Sequence, residues 1–184
     1  KDRTPIIVAL DGPSGAGKST LASLVADDIR VALVRSDDFY AADVPDVQWD
    51  LMSPEAKADR GINWRRLRTQ ALEPLLDGRR AEWQSFDFEH RHADGTYPLQ
   101  KEPTRCGPAS VVILDGAYSG RPELDDLIAL KVLVQTPPEV RNARLAGREE
   151  PSFLVAWHQR WDAAEAYYFT KLCPCSSFDL VVPG

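Results

Sequence analysis

Ile6-Ile7-Val8-Ala9-Leu10-Asp11-Gly12-Pro13-Ser14-Gly15-Ala16-Gly17-Lys18-Ser19 is the stretch that decides the fold of this chain. Ile6 to Leu10 is a short apolar, β-branched run, and a glycine-rich turn follows it at once. After Lys18, Leu21, Leu24, Val25 and Ile29 recur at helical spacing. Strand, loop and helix therefore follow one another, and Gly12 to Ser19 meets G-x-x-x-x-G-K-[ST] at every fixed position. The spacing has a physical cause. Glycines let the backbone wrap close to a phosphate, successive N–H groups point inward, and a helix N-terminus adds its dipole. Gly12, Ser14, Gly15, Ala16, Gly17, Lys18, Ser19 and Thr20 are the candidate nucleotide-binding residues. Lys18 is expected on the β- and γ-phosphates, and the Ser19 hydroxyl on Mg²⁺.

Outward from this motif, Val31 to Val34 reads as a second buried strand and Ser36-Asp37-Asp38-Phe39-Tyr40 lies at its end. Ala41 to Arg60 breaks into Asp, Pro and Ser and suggests a loop with a short helix. Trp64, Leu67, Ala71, Leu72, Leu75 and Leu76 mark an amphipathic helix ended by Gly78. Ala81 to Phe88 reads as an irregular strand and His90 to Pro108 as a long connection. Val111 to Leu114 is a central strand, Lys131 to Val134 the next, and Asp179 to Val182 a closing one. Ser152 to Leu172 is a long helix whose Trp157, Trp161 and Tyr168 follow core spacing. Strands alternating with helices predict an α/β, three-layer P-loop NTPase fold: a mostly parallel sheet flanked by helices, in one domain over residues 1–184.

The 184 residues are 43% hydrophobic and 27% charged, an ordinary globular balance. A net charge of −6 disfavours a nucleic-acid partner. No apolar run approaches the roughly 20 residues of a membrane helix, so neither membrane nor nucleic acid is expected as partner. The start carries no signal-peptide pattern, and a cytoplasmic protein is expected. A homo-oligomer is compatible with the sequence but not indicated by it. The three cysteines lack the spacing of a redox or zinc pair and read as reduced thiols.

Two acidic positions suit phosphoryl transfer. Asp37 or Asp38, at a strand's carboxyl end, could accept the proton of an attacking hydroxyl or bind Mg²⁺ through water; an Asx turn or helix cap would explain them equally. Asp115 follows four apolar residues, as a Walker B carboxylate does, or simply opens the Asp115-Gly116 turn. Arg141, Arg144 and Arg148 fall three and four apart and predict a cationic helix face, a lid around residues 141–152 with Arg144 and Arg148 on the nucleotide and Arg141 toward the acceptor. A solvated face paired with Glu149 and Glu150 is the alternative. His90, Arg91 and His92 could hydrogen-bond a substrate and Phe86 and Phe88 could stack on a ring; surface histidines and core phenylalanines explain them equally well.

Together these residues resemble the uridine kinase family, in the group that includes phosphoribulokinase and bacterial pantothenate kinase. The resemblance runs over nearly the whole chain and rests on Gly12 to Ser19, on Asp37-Asp38-Phe39-Tyr40, similar to the family's D-x-F-Y, on Ile113-Leu114-Asp115-Gly116, and on the arginines after Pro138. It implies Asp37 as base, Asp115 with Ser19 at Mg²⁺, Tyr40 near the acceptor, Phe86-Asp87-Phe88 in place of the family's Tyr-Asp-Phe beside the base pocket, and Asp59 on the ribose hydroxyls. It implies ATP and Mg²⁺ as cofactors and a small-molecule hydroxyl acceptor, a nucleoside first. The Asp11 to Ser19 segment is also similar to cytidylate kinase, so a nucleoside monophosphate kinase is the enzymatic alternative. A regulatory NTP-binding module is the non-enzymatic one.

Overall fold

A computed structural model describes residues 5–184. Its main sheet has five parallel strands in the order β2-β5-β1-β6-β7: β1 (Ile6–Asp11), β2 (Ala32–Arg35), β5 (Val111–Asp115), β6 (Ile128–Gln135) and β7 (Leu180–Pro183). Strand β2, read as buried, lies at an edge, and β5, β1 and β6 occupy the middle. Their side chains divide with the period of two. Ile7, Val112 and Leu114 enter one core and Leu10 and Ile113 the other. Both faces are thus covered, which is why these strands read as continuous apolar runs.

Helix α1 (Lys18–Asp28) covers one face through Ala22, with Leu21 and Val25 packed beside it. Leu24 and Ile29 share its helical spacing but stay more than half exposed. The other face carries a larger core of Ala58, Ile62, Leu67, Leu72, Leu75, Tyr168 and Phe178. The segment expected as a loop with one short helix holds two, α2 (Asp46–Leu51) and α3 (Pro54–Arg60). The start of α3 has a local signal: the Ser53 hydroxyl accepts from the Ala56 N–H at 3.2 Å, and Pro54 stands at the first helical position.

The expected helix before Gly78 is a continuous run of α4 (Trp64–Arg66), a π-helical turn (Leu67–Leu72) and α5 (Glu73–Leu76). Pro74 has no N–H to give a regular helix, and the wider turn precedes it. Ala81 to Phe88 is strand only at β3 (Ala81–Trp83), which pairs antiparallel with an unforeseen β4 (Thr104–Cys106) in a separate ribbon. Helices α6 (Pro138–Ala146) and α7 (Pro151–Tyr167), the latter continued by a π-helical turn (Tyr168–Leu172), lie between β6 and β7. No helix among the described residues is long and apolar enough to cross a membrane. Because the main strands run parallel, the glycine loop after β1, the Ser36–Phe39 turn after β2 and Asp115 at the end of β5 meet at one sheet edge.

Candidate active site

The loop after β1 is wrapped as its glycines require. Gly15 and Gly17 have φ of 76° and 100°, in the left-handed region, and a Cβ on Gly15 would come within 2.8 Å of the Arg141 carbonyl oxygen. Side chains from elsewhere take the loop's carbonyls. Arg141 Nη1 donates to Ser14 O at 3.1 Å, Arg144 Nη1 to Gly15 O and Ala16 O at 3.3 Å, and Thr136 Oγ1 to Ala16 O at 2.8 Å. In a trans peptide the N–H lies opposite the C=O, so the Gly15 and Gly17 amides face the other way. With the unpaired N–H groups of the first turn of α1, they form a concave donor surface. Lys18 Nζ donates to Gly12 O at 2.7 Å and Pro13 O at 3.0 Å.

Asp11 anchors the loop's start. It is buried and accepts from Gly12 N–H at 2.8 Å, Gly120 N–H at 2.8 Å and Tyr168 O–H at 2.7 Å. Burial raises its carboxyl pKa against the pull of those donors and of Lys18. Gly12 itself faces away from the donor surface, where a Cβ would meet the Val134 carbonyl oxygen.

The two aspartates after β2 point to different places. Asp38 accepts from Trp83 Nε1 at 2.8 Å, whereas Asp37 lines a cavity of about 760 Å³ together with Lys18, Ser19 and Thr20. Water reaches Asp37 through that cavity, but protein atoms crowd it on most sides, and this crowding raises its carboxyl above the usual range. Lys18 opposes the shift; Asp115 and Asp38 add to it. Asp115 pairs in register with Arg35 across β2 and β5 and is almost fully buried. Burial raises its pKa too, with the neighbouring Ser19 hydroxyl and Lys18 acting against that. Among the described residues its Oδ1 has no hydrogen-bond partner.

The far end of the cavity is aromatic. Tyr40, Trp49, Phe86, Phe88, Tyr97 and Trp161 line it, with Trp49 to Trp161 at 5.1 Å and Tyr40 to Phe88 at 5.6 Å between ring centres. Arg160 also lines it, but its guanidinium is forked by Asp46 at 2.6 Å and Asp50 at 2.7 Å. Arg91 binds the other oxygen of Asp46 at 2.7 Å, which ties α2, α7 and the 90–97 connection together.

Several expected residues fall elsewhere. Asp59 is 64% exposed outside the cavity and faces Arg121 at 3.6 Å, because α3 turns it away from the sheet edge. His90 is also outside it, exposed and held by Asp87 at 2.8 Å. Arg141, expected toward the acceptor, lies behind the glycine loop rather than at the aromatic end of the cavity, bound to Ser14 and Glu165. The arginines do not share one helix face, since α6 ends at Ala146 before Arg148; Arg144 and Arg148 line the cavity and Arg141 does not. Trp157 and Trp161, expected in the core, are cavity wall, and only Tyr168 is core. Sequence reasoning missed Asp11, Asp46, Trp49, Arg160 and Glu165. An acid ending an apolar strand was a signal for Asp11; the others meet only through long-range packing.

No family model matches the chain. It is 27% identical over 162 residues to a curated protein named uridine kinase from Lactobacillus johnsonii, covering 81% of this chain and 70% of that protein. A second uridine kinase, from Ligilactobacillus salivarius, is 25% identical over 153 residues, covering 81% and 68%. By sequence the chain is uridine kinase-like. Its fold agrees: a solved chain from Bacillus stearothermophilus described as a possible uridine kinase superposes with a TM-score of 0.68 at 18% identity, over 98% of this chain and 90% of that one. The arrangement is a three-layer α/β P-loop fold, and the uridine kinase-like resemblance supports a kinase.

Proposed function

We propose that this chain transfers the terminal phosphoryl group of ATP to a hydroxyl of a small, uncharged, ring-bearing acceptor, with a nucleoside as first candidate. The observation that carries the reading is the shared cavity: Lys18 and the amides of the glycine loop open on one end, aromatic rings line the other, and Asp37 stands on its wall. A carboxylate whose proton affinity is raised is suited to take a hydroxyl proton as the oxygen attacks. Lys18 and Arg144 supply positive charge where the phosphoryl group would lie, while Arg148 lines the same cavity bound to Glu149 at 2.7 Å. At the acceptor end Arg160 is already neutralised by Asp46 and Asp50, so this end suits an uncharged alcohol better than a monophosphate. The similar uridine kinases support a ring-bearing acceptor.

The residues present fit Mg²⁺ only together with phosphates. Among the described residues no three His, Cys, Asp or Glu side chains converge as a metal site. Asp115 with its unpartnered oxygen and the Ser19 hydroxyl would hold the ion, in keeping with magnesium's preference for one or two protein oxygens plus phosphate and water. The ion would neutralise phosphate charge.

ADP release from Mg-ATP with a panel of nucleosides, nucleoside monophosphates and sugars tests the proposal, with Lys18→Ala as control. Stimulation by uridine or cytidine that the variant lacks is expected. Stimulation by monophosphates alone would replace the acceptor assignment, and no stimulation by any hydroxyl compound would overturn the transferase reading.

A further inference from the structure

We propose that Glu165 and Arg141 are positioning residues that hold the phosphate loop from behind, so that its affinity for nucleotide depends on an ion pair outside the nucleotide-binding motif. The inference rests on the phosphate-site reading of Gly12 to Ser19.

Ser14 is the middle of the loop's first half, between Gly12 and Gly15, both of positive φ. Its two backbone polar groups are bound by one pair of side chains. The Ser14 N–H donates to Glu165 Oε2 at 2.7 Å, Arg141 Nη1 donates to Ser14 O at 3.1 Å, and the same Nη1 meets Glu165 Oε1 at 3.2 Å. A closed ring results, formed by one residue of the loop, one of α6 and one of α7. Arg141 and Glu165 have side chains only 18% and 22% exposed, so water and salt weaken the pair less than a surface pair.

Glycine-rich backbone has many conformations to lose, and ordering it at the moment of binding would subtract from affinity. The ring restricts that freedom beforehand. It also fixes the orientation of the Ser14 carbonyl and hence of the Gly15 amide, which faces the opposite way across the same peptide. Neither Arg141 nor Glu165 lines the cavity, so their effect passes through Ser14. Glu165 stands one helical turn after Trp161, so the helix that forms part of the aromatic wall also grips the loop.

Calorimetric titration with Mg-ATP needs no acceptor and tests this directly on wild type, Glu165→Ala, Glu165→Gln, Arg141→Ala and the Glu165→Ala/Arg141→Ala pair. Removing a charged hydrogen bond at this site is expected to weaken Mg-ATP by about 10- to 100-fold in Glu165→Ala. Glu165→Gln keeps an oxygen for the Ser14 N–H and should recover to within about threefold of wild type, the loss of one partly screened ion pair. The double variant should bind no worse than the weaker single one, because the two groups act as a unit. Unchanged or tighter binding in Glu165→Ala overturns the brace, as does a Glu165→Gln loss equal to that of alanine. Should Glu165→Ala not fold, wild-type affinity in Arg141→Ala overturns it alone. A wild-type chain that does not bind Mg-ATP overturns the phosphate-site reading and the brace together.

Discussion

The two ends of the cavity are built on different principles. The phosphate end is backbone: a run of eight residues, Gly12 to Ser19, bends its amides toward one point, and side chains serve mainly to tie its carbonyls back. The aromatic end, where we propose the acceptor, is side chain, assembled from Tyr40, Trp49, the 86–97 connection and the α7 tryptophans, which lie far apart in the sequence. A phosphate has one shape, so a fixed backbone cradle can recur from protein to protein. An organic acceptor does not, so its pocket must be made of adaptable side chains on separate elements.

If this division is sound, Asp37, between the two ends, belongs to the chemistry rather than to binding at either. Asp37→Asn should lower kcat by about 10²- to 10⁴-fold, the usual contribution of a positioned base, and leave the Kd for Mg-ATP nearly as it was. A variant that loses ATP affinity in proportion would move Asp37 to the phosphate end. Steady-state rates with a calorimetric Kd distinguish these.

Smaller effects should separate the ends themselves. Trp161→Ala removes a ring from the wall that faces Trp49 and Tyr40. Base–aromatic stacking is worth about 1–3 kcal/mol, so the acceptor KM should rise roughly 5- to 150-fold while the KM for ATP stays put. A matched rise in both would mean that the ends are coupled through α7.

The smallest effect is on stability and pH. Asp11, Asp37 and Asp115 all have carboxyl pKa values raised by burial above the unfolded value of 3.8. Over the interval between 3.8 and each raised value the folded chain binds more protons than the unfolded one, so these groups lose stability for the fold as pH rises through that interval. Asp37→Asn removes one of the charges, and because Asp37 is exposed to water through the cavity, which screens it, the melting temperature at neutral pH should rise only slightly. The activity of the wild type should fall as acid protonates Asp37, with a midpoint above 3.8. An unchanged melting point and an acid limb at or below 3.8 would mean that the cavity is wet enough to cancel its burial.

The sequence by itself determined the sheet's central strands, the nucleotide loop and the placing of Asp37 and Asp115 near strand ends. Each of these depends on residues close together in the chain. Apolar period, glycine torsions and the length of a strand are local matters, and parallel strands then carry their carboxyl ends to one edge without further instruction. The residue chemistry alone left Asp37 and Asp38 equal and the family resemblance favoured Asp37; the tertiary structure supplies the physical reason, since Trp83 claims Asp38 while Asp37 opens on the cavity. It alone turned Trp157 and Trp161 into a wall, sent Asp59 and His90 outside, and brought Glu165 to Ser14, 151 positions away. Helical spacing reports that a side chain shares a face with its neighbours, and not whether that face meets core, cavity or loop. That choice is made when the elements pack.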